Sequence, residues 1–507
     1  MAQRGPSLIL TDFSGGYNTQ DPEYLLPLNQ SPDCQNLILL PKGFTKRRGD
    51  TAFNSSAMVS GSTVVAGGGY IKFDSGTEFL NAVAGTKFFT SSSLSGTMAD
   101  ATGAVTITSG QNNIWTPVIY NNLQIWFGGA PDAPFKYSGS GNAAALGGTP
   151  PSASTAFVAN NRIFAISTAA NPSIVQWPIV SNPEDWTGTG SGNASVSLSD
   201  GEALQCGTVT GTDTAILFKN SSTHLMVLTR APFPIYQLQK GVGISGRWAF
   251  VNVDGVIYFV TPGRRMKATK DGINFQDFPD SIDSIWDSIN TDRIAYIQGY
   301  YHRPLEHIYW LVSTGSSTQN NYCIVWDLKR KCWGPPFPTG YDVNVPIFVQ
   351  NRRFFAGQYD GKIYEKDKSN TYTDASETSP GAINGYWRTP FKGANDLAST
   401  IHPTWIDVSC KNETSSTLTI SYGFDNATPI QTTSVTLSAG GALWDDAEWD
   451  VDSWAGQSSV IKRVFVYGRG NVFSMTFGNS TASQSFTFEG CTLPLRTDRA
   501  RKIFTVV

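Results

Sequence analysis

Asn121-Asn122-Leu123-Gln124-Ile125-Trp126-Phe127 states the pattern on which this chain is built: two turn-forming residues, then an aliphatic and aromatic run. The pattern returns as Asn160-Asn161-Arg162-Ile163-Phe164, Asp254-Gly255-Val256-Ile257-Tyr258-Phe259 and Asp360-Gly361-Lys362-Ile363-Tyr364. Asn-Asn and Asp-Gly pairs tolerate the positive φ values that tight hairpin turns require. The residues that follow alternate or run apolar, as half-buried or buried strands do. Looser members are Glu78 to Phe89, Thr214 to Leu228, His307 to Val312, and Tyr322 to Trp326 continuing to Trp333. A two-hairpin unit takes roughly 40–50 residues, the size of a propeller blade. Residues 56–370 are therefore expected to form a β-propeller of about six to eight blades. Two stacked sheets would give similar hairpin signals and are the alternative.

Composition points the same way. Of 507 residues, 40% are hydrophobic and 12% aromatic, enough for a sizeable core, while 15% are charged, against about 25% in an average globular domain. Helix-forming periodic stretches are scarce. One helical turn is expected at Asp280 to Trp286, where Ile282, Ile285 and Trp286 recur at i, i+3 and i+4. A polar stretch at 366–382, opening Lys366-Asp367-Lys368-Ser369-Asn370, reads as a linker. Residues 371–507 then form a C-terminal β-sandwich of seven or eight strands, with Thr417 to Gly423 alternating cleanly and Arg463 to Tyr467, Val472 to Phe477 and Ser485 to Glu489 as further strands. Residues 1–55 are broken by Pro22, Pro27, Pro32 and Pro41 and are expected as an extended N-terminal arm or strap, leaning on the rest of the molecule or on a neighbour.

Function classes narrow in turn. The net charge of -3 carries no basic excess of the kind phosphate binding needs. Cys34, Cys206, Cys323, Cys332, Cys410 and Cys491 are scattered without a C-x-x-C pair and read as reduced, structural thiols. No apolar run approaches the ~18 residues of a membrane span, so membrane insertion is not expected. Leu8 to Leu10 is too short for a signal sequence. His224, His302, His307 and His402 fall in no metal-binding spacing, and His302 with His307 reads as a solvated hairpin pair. No G-x-S-x-G elbow occurs, and neither Gly211-Thr212-Asp213 nor Gly241-Val242-Gly243 leads into Gly-Lys-Ser/Thr. Thr269 to Phe275 loosely resembles the Asp-box turn of sialidases but lacks the residue that should separate Asp271 from Gly272. No enzyme, metal or cofactor is expected. Lys46-Arg47-Arg48 suits a solvated turn, or a contact with DNA or an acidic neighbour. In Trp444-Asp445-Asp446-Ala447-Glu448-Trp449-Asp450-Val451-Asp452-Ser453-Trp454, the tryptophans Trp444, Trp449 and Trp454 suit a loop anchor or interface with wet carboxylates, the alternative being cation or sugar binding.

The order of several segments resembles one family. Phe13-Ser14-Gly15-Gly16-Tyr17-Asn18-Thr19 is followed by Leu25-Leu26-Pro27-Leu28-Asn29-Gln30-Ser31-Pro32-Asp33-Cys34-Gln35-Asn36 and by Gly43-Phe44-Thr45-Lys46-Arg47-Arg48-Gly49. This is similar to the opening of the tail nozzle or hub proteins (tubular tail protein B group) of short-tailed bacteriophages, with Tyr17 and Cys34 at variable places. Asn161-Arg162-Ile163-Phe164, Trp177, Asn182-Pro183-Glu184-Asp185-Trp186, Leu217-Phe218-Lys219-Asn220, Gly241-Val242-Gly243, Asp254 to Phe259, and Val325-Trp326-Asp327-Leu328 up to Trp333 resemble later parts of the same proteins. The resemblance covers roughly residues 13–333 and is thinner beyond. It implies a propeller-bearing virion protein, made in the host bacterial cytoplasm and assembled as a homo-oligomeric ring, expected as a hexamer. The ring would sit below the portal and adaptor rings, pass genomic DNA through its lumen without gripping it, and seat fibres, spikes or a plug. Low charge density suits such a channel, and a heterologous contact with closed rotation gives a ring. Phe13, Tyr17, Tyr24, Arg47 and Arg48 are the candidate subunit-interface residues of the arm. Alternatives are a carbohydrate-binding or glycan-cleaving propeller, and another virion part such as a fibre base or baseplate component.

Overall fold

The paired turn residues become the tips of hairpins. The computed structural model describes residues 7–61, 63–128, 132–349, 353–376, 381–393, 399–413, 416–425, 431–438 and 459–499. Within it Asn121 and Asn122 (φ 47° and 58°), Asn160 and Asn161 (45° and 53°), and Asp254 and Gly255 (49° and 84°) are left-handed in succession. These turns connect Thr116–Tyr120 to Leu123–Phe127, Ala153–Ala159 to Arg162–Thr168, and Phe250–Val253 to Val256–Val260.

Each connection joins the first two strands of a four-stranded antiparallel sheet, and seven such sheets follow one another. Their first strands are Val65–Lys72, Thr116–Tyr120, Ala153–Ala159, Cys206–Val209, Phe250–Val253, Gln298–His302 and Val343–Val349, opening blades 1 to 7. Successive blades touch, and the series closes where Asn344 Nδ2 of blade 7 donates to the Val65 carbonyl of blade 1 at 2.8 Å. The architecture is a seven-bladed propeller. The second strand of a blade has strands on both edges and a blade on each face, so most of its apolar run is buried. Trp126, Phe164, Phe218, Phe259, Trp310 and Phe355 all sit there, fully buried.

Blade 7 takes its outermost strand from the beginning of the chain. Thr51–Ala52 pairs with Ile363–Lys366, Ala52 opposite Tyr364 and Thr51 opposite Glu365. The expected helical turn is Asp283–Asp287, held by buried Trp286.

Among the described residues, eight strands from Gly385 onward make the two sheets of the sandwich. The arm is extended, as expected, but its strands belong to those sheets instead of lying across a surface. Asp33–Gln35 pairs with Gly385–Arg388 in one sheet. In the other, Ser7–Leu10 and Phe44–Lys46 pair with the thirteen-residue final strand Thr487–Arg499, and Leu37–Leu39 follows outside Phe44–Lys46. The physical reason is twofold. A long strand edge is costly to leave unpaired, and the core between the sheets needs the arm's aromatics. Phe44 stacks on Trp387 and Phe488 at 5.8 and 5.0 Å, and Phe13 meets Phe44 and Trp387 edge-on at 5.0 and 5.3 Å.

Candidate assembly site at the joint of the two domains

The opening segments that carry the resemblance converge on the seam between propeller and sandwich. Arg47 is its centre, 1% exposed. Its guanidinium makes two bonds to Asp374, Nη1 to Oδ1 at 2.9 Å and Nη2 to Oδ2 at 2.6 Å. Nε donates to Asn36 Oδ1 at 2.7 Å, Nη2 to the Thr339 carbonyl at 2.9 Å, and Nη1 to the Arg48 carbonyl at 3.1 Å. All five N–H donors are thus used, the condition under which a buried guanidinium is tolerated. Burial pulls its pKa down, but the Asp374 carboxylate outweighs this and holds it above the ordinary arginine range. Asn36 passes the contact on, its Nδ2 donating to the Asn384 carbonyl at 2.9 Å.

A second buried ion pair lies beside the first. Lys366 Nζ donates to Asp50 and to the Gly340 carbonyl, and Asp50 also accepts from Ser376 N and Oγ at 3.0 and 2.6 Å. Gly49 is forced by this packing, since a Cβ there would lie 1.9 Å from the Thr373 carbonyl oxygen. The stretch read as a linker is therefore corrected in its first part: Lys366 and Asp374 are buried at the seam, because each neutralises a charge from the arm.

The Gly-Gly turn of the arm reaches the propeller. Gly16, at φ 70°, lies where a Cβ would be 2.2 Å from the Trp333 carbonyl oxygen of blade 6. Tyr17 packs against both the sandwich core and the core of blades 4 to 6. Thr19 N donates to the Ser281 carbonyl at 2.7 Å. Asn18 closes its own loop, Nδ2 donating to Asp21 and Gln30 at 2.9 and 3.0 Å. Toward the sandwich, Arg388 forms a two-pronged pair with Glu23 at 2.8 and 2.7 Å, and Ser31 Oγ donates to the Arg388 carbonyl at 2.7 Å.

Several expectations are corrected here. Phe13 and Arg47 do not face a neighbour; they are interior residues of their own chain, drawn in by the aromatic core and by Asp374. Tyr17 is half-buried in an internal contact. Tyr24, 57% exposed beside Leu25 at 64%, and exposed Arg48 remain available to a neighbour. Lys46 and Arg47 form no solvated turn, and His302 and His307 are buried, beside Asp367 at 3.1 Å and Asp327 at 3.4 Å. Arg47 is inside because Asp374, from a distant segment, meets its charge, whereas Lys46 meets only neutral oxygens. Trp444, Trp449 and Trp454 lie outside the described residues. Sequence reasoning missed Asp50, Asp374, Trp387 and the Glu23–Arg388 pair; none has a local pattern that marks it.

Among the described residues no three His, Cys, Asp or Glu side chains are grouped to hold a metal, and no helix is long and apolar enough to cross a membrane. The described residues enclose several open clefts, two of which are large. One of about 830 Å³ on blades 5 and 6 is lined by Tyr258, Phe275, Phe278 and Trp326 with Asn274 and Lys331. The other, about 860 Å³, lies between blade 7, the arm and the sandwich. No protein-family model and no curated protein matches the chain. Among solved structures it is similar to YCF48 from Cyanidioschyzon merolae (TM-score 0.40, 10% identity, 62% of this chain and 98% of that one). It is also similar to the WD40 β-propeller domain of Doa1 (0.39, 8%, 63% and 96%) and to the computationally designed Ika8 protein (0.38, 9%, 62% and 99%). The likeness is one of fold alone.

Proposed function

We propose that this chain is a non-enzymatic structural subunit of a short-tailed bacteriophage tail, forming a nozzle or hub ring, a hexamer, that continues the DNA-ejection channel below the adaptor. The observation that carries the reading is the joint. The three opening segments that resemble nozzle proteins are the segments that lock propeller to sandwich, through Arg47–Asp374, Asn36, Gly16 and the Phe13–Phe44 pair. A ring subunit that bears load during ejection needs its two domains held as one body, and a fully satisfied buried polar network supports that. DNA would pass without specific contacts, and fibres, spikes or a plug would be seated on the ring.

The test is immunogold electron microscopy of virions with antibody to this chain, alongside mass measurement of the purified protein. Label at the tail vertex and a closed ring are expected. Unlabelled particles would overturn the reading. Label with a different stoichiometry would move the chain to a fibre base or baseplate. A second reading, carbohydrate binding, is favoured by the aromatic cleft on blades 5 and 6, where ring faces and amides suit a sugar. Glycan-array binding that is lost in Trp326→Ala, with folding retained, would promote it.

A further inference from the structure

We propose that the cleft between blade 7, the arm and the sandwich binds a carboxylate-rich peptide segment of a partner polypeptide. Its lining is unbalanced in charge. Lys46, Arg48, Arg353, Lys366, Lys368 and Lys411 face it, against Glu365, Asp367 and Glu413. Glu365 and Glu413 are already engaged within the chain. Glu365 takes Arg353 and Lys368, each at 2.6 Å. Asp367 lies 3.1 Å from His302 Nε2, and Glu413 accepts from Ser485 Oγ. Lys366 is spent on Asp50.

Three cations are left over. Lys46 is 1% exposed, yet its Nζ meets only the neutral oxygens of Asn479 and Thr481, at 2.9 and 3.0 Å. Arg48 has a single long contact, 3.4 Å to Ser369 Oγ. Lys411 is exposed at the end of its strand. Among the described residues none of the three has a carboxylate within ion-pair distance. A buried cation without a counter-ion is unfavourable, and burial together with neighbouring Arg47 lowers the Lys46 pKa to about 8. His302, also in the lining, keeps Nδ1 buried without a hydrogen-bond partner.

An arriving carboxylate would supply the missing counter-charge. The volume is that of a few residues rather than of one ion, within the ~300–1,000 Å³ of ordinary ligand clefts, and cations spread along it suit spaced carboxylates. This inference goes beyond the tail reading and does not depend on it: virion labelling decides that one, whereas this one is decided on the purified full-length chain.

The experiment titrates a fluorescent octaglutamate peptide against the wild-type chain, a cleft variant (Arg48→Glu with Lys411→Glu) and a variant of equal charge on blades 4 and 5 (Lys240→Glu with Lys270→Glu). All four positions are exposed, which spares folding. Binding is expected to weaken about tenfold or more in the cleft variant and little in the other. Equal losses in both would reduce the effect to net charge and overturn the site. Binding of inorganic phosphate without binding of the peptide would overturn the ligand class. The wild-type chain could also fail to bind while one neutralised at Asp445, Asp446, Glu448, Asp450 and Asp452 does bind. That result would mean the chain's own acidic segment takes the place of the partner, and it too would overturn the proposal.

Discussion

The propeller and the sandwich are both antiparallel β-structure, yet they are assembled in opposite ways. A blade is a run of consecutive hairpins: the strands of blade 3 follow one another from Ala153 to Ser195, each paired with its sequence neighbour. The sandwich unites the two ends of the chain. Thr45 Oγ1 donates to the Phe486 carbonyl, 441 residues away, and Lys46 reaches Asn479 across 433. Local pairing closes short loops, whereas distant pairing must recover a larger closure entropy and repays it only when much surface is buried at once. The propeller should therefore tolerate local damage, and the sandwich should respond to changes in the arm as though its core had been struck.

Removing residues 7–46 is the most severe way to break that contrast. It takes four strands and both Phe13 and Phe44 from the sandwich while leaving Thr51–Ala52 to close blade 7. The sandwich is expected to lose its cooperative unfolding transition and become protease-sensitive, with blades 1 to 6 protected. A truncated chain that still melts in both domains would show the arm to be a mere strap. Next in size is Phe44→Ala, which empties the stack between Trp387 and Phe488 and should cost about 3–5 kcal/mol by urea unfolding. At the seam, Asp374→Ala strands the Arg47 charge against Phe337 and Tyr341, Arg47→Ala strands the buried Asp374 carboxylate, and each should cost about 3–5 kcal/mol. The double variant should cost less than the sum of the two, the signature of direct coupling.

How much could be read from the chain alone follows the same division. Asn121-Asn122 and Asp254-Gly255 carry their backbone geometry in their own residue types, so the hairpins and with them the propeller were legible. Four of the C-terminal strands were legible, Thr417–Phe424 by its clean alternation, whereas Gly385–Arg388, Ser399–Pro403, Trp405–Lys411 and Gln431–Thr436 were not. What stayed hidden was partnership over distance. Nothing about Phe44-Thr45-Lys46 says that its strand will lie beside Phe488, and nothing in a Ser/Thr-rich stretch marks Asp374 as the acceptor for Arg47. A basic triplet looks solvated until its counter-charge is located. At the joint, the resemblance picked out the segments that matter, but it assigned Phe13 and Arg47 outward when packing turns them inward.

Lys46 sharpens the comparison through pH. Burial, then Arg47, brings its folded pKa to about 8 from 10.5. Between these values the unfolded chain holds the proton more firmly than the folded one, so stability rises with pH across the window; below about 8 the full cost of the buried charge is felt. From pH 7.5 to 9.5 this one group should add about 2 kcal/mol. Lys46→Met keeps the apolar stem and removes the titration. The wild-type minus variant difference in sandwich stability should therefore climb over that range, and a flat difference would refute the assigned burial.

The smallest effect belongs to the propeller and tests its side of the contrast. Asn161 sits at φ 53° at the tip of the first hairpin of blade 3, exposed. Alanine there keeps the left-handed backbone but loses the polar side chain that lets asparagine tolerate it, and should cost about 1 kcal/mol. Glycine removes that strain and should be neutral to within a few tenths of a kcal/mol. Both changes stay inside one hairpin, so hydrogen exchange should show faster opening in blade 3 for Asn161→Ala and unaltered protection in the sandwich. If the sandwich loosened as well, the propeller would be transmitting strain through the Arg47–Asp374 joint, and the two domains would have to be treated as one cooperative unit.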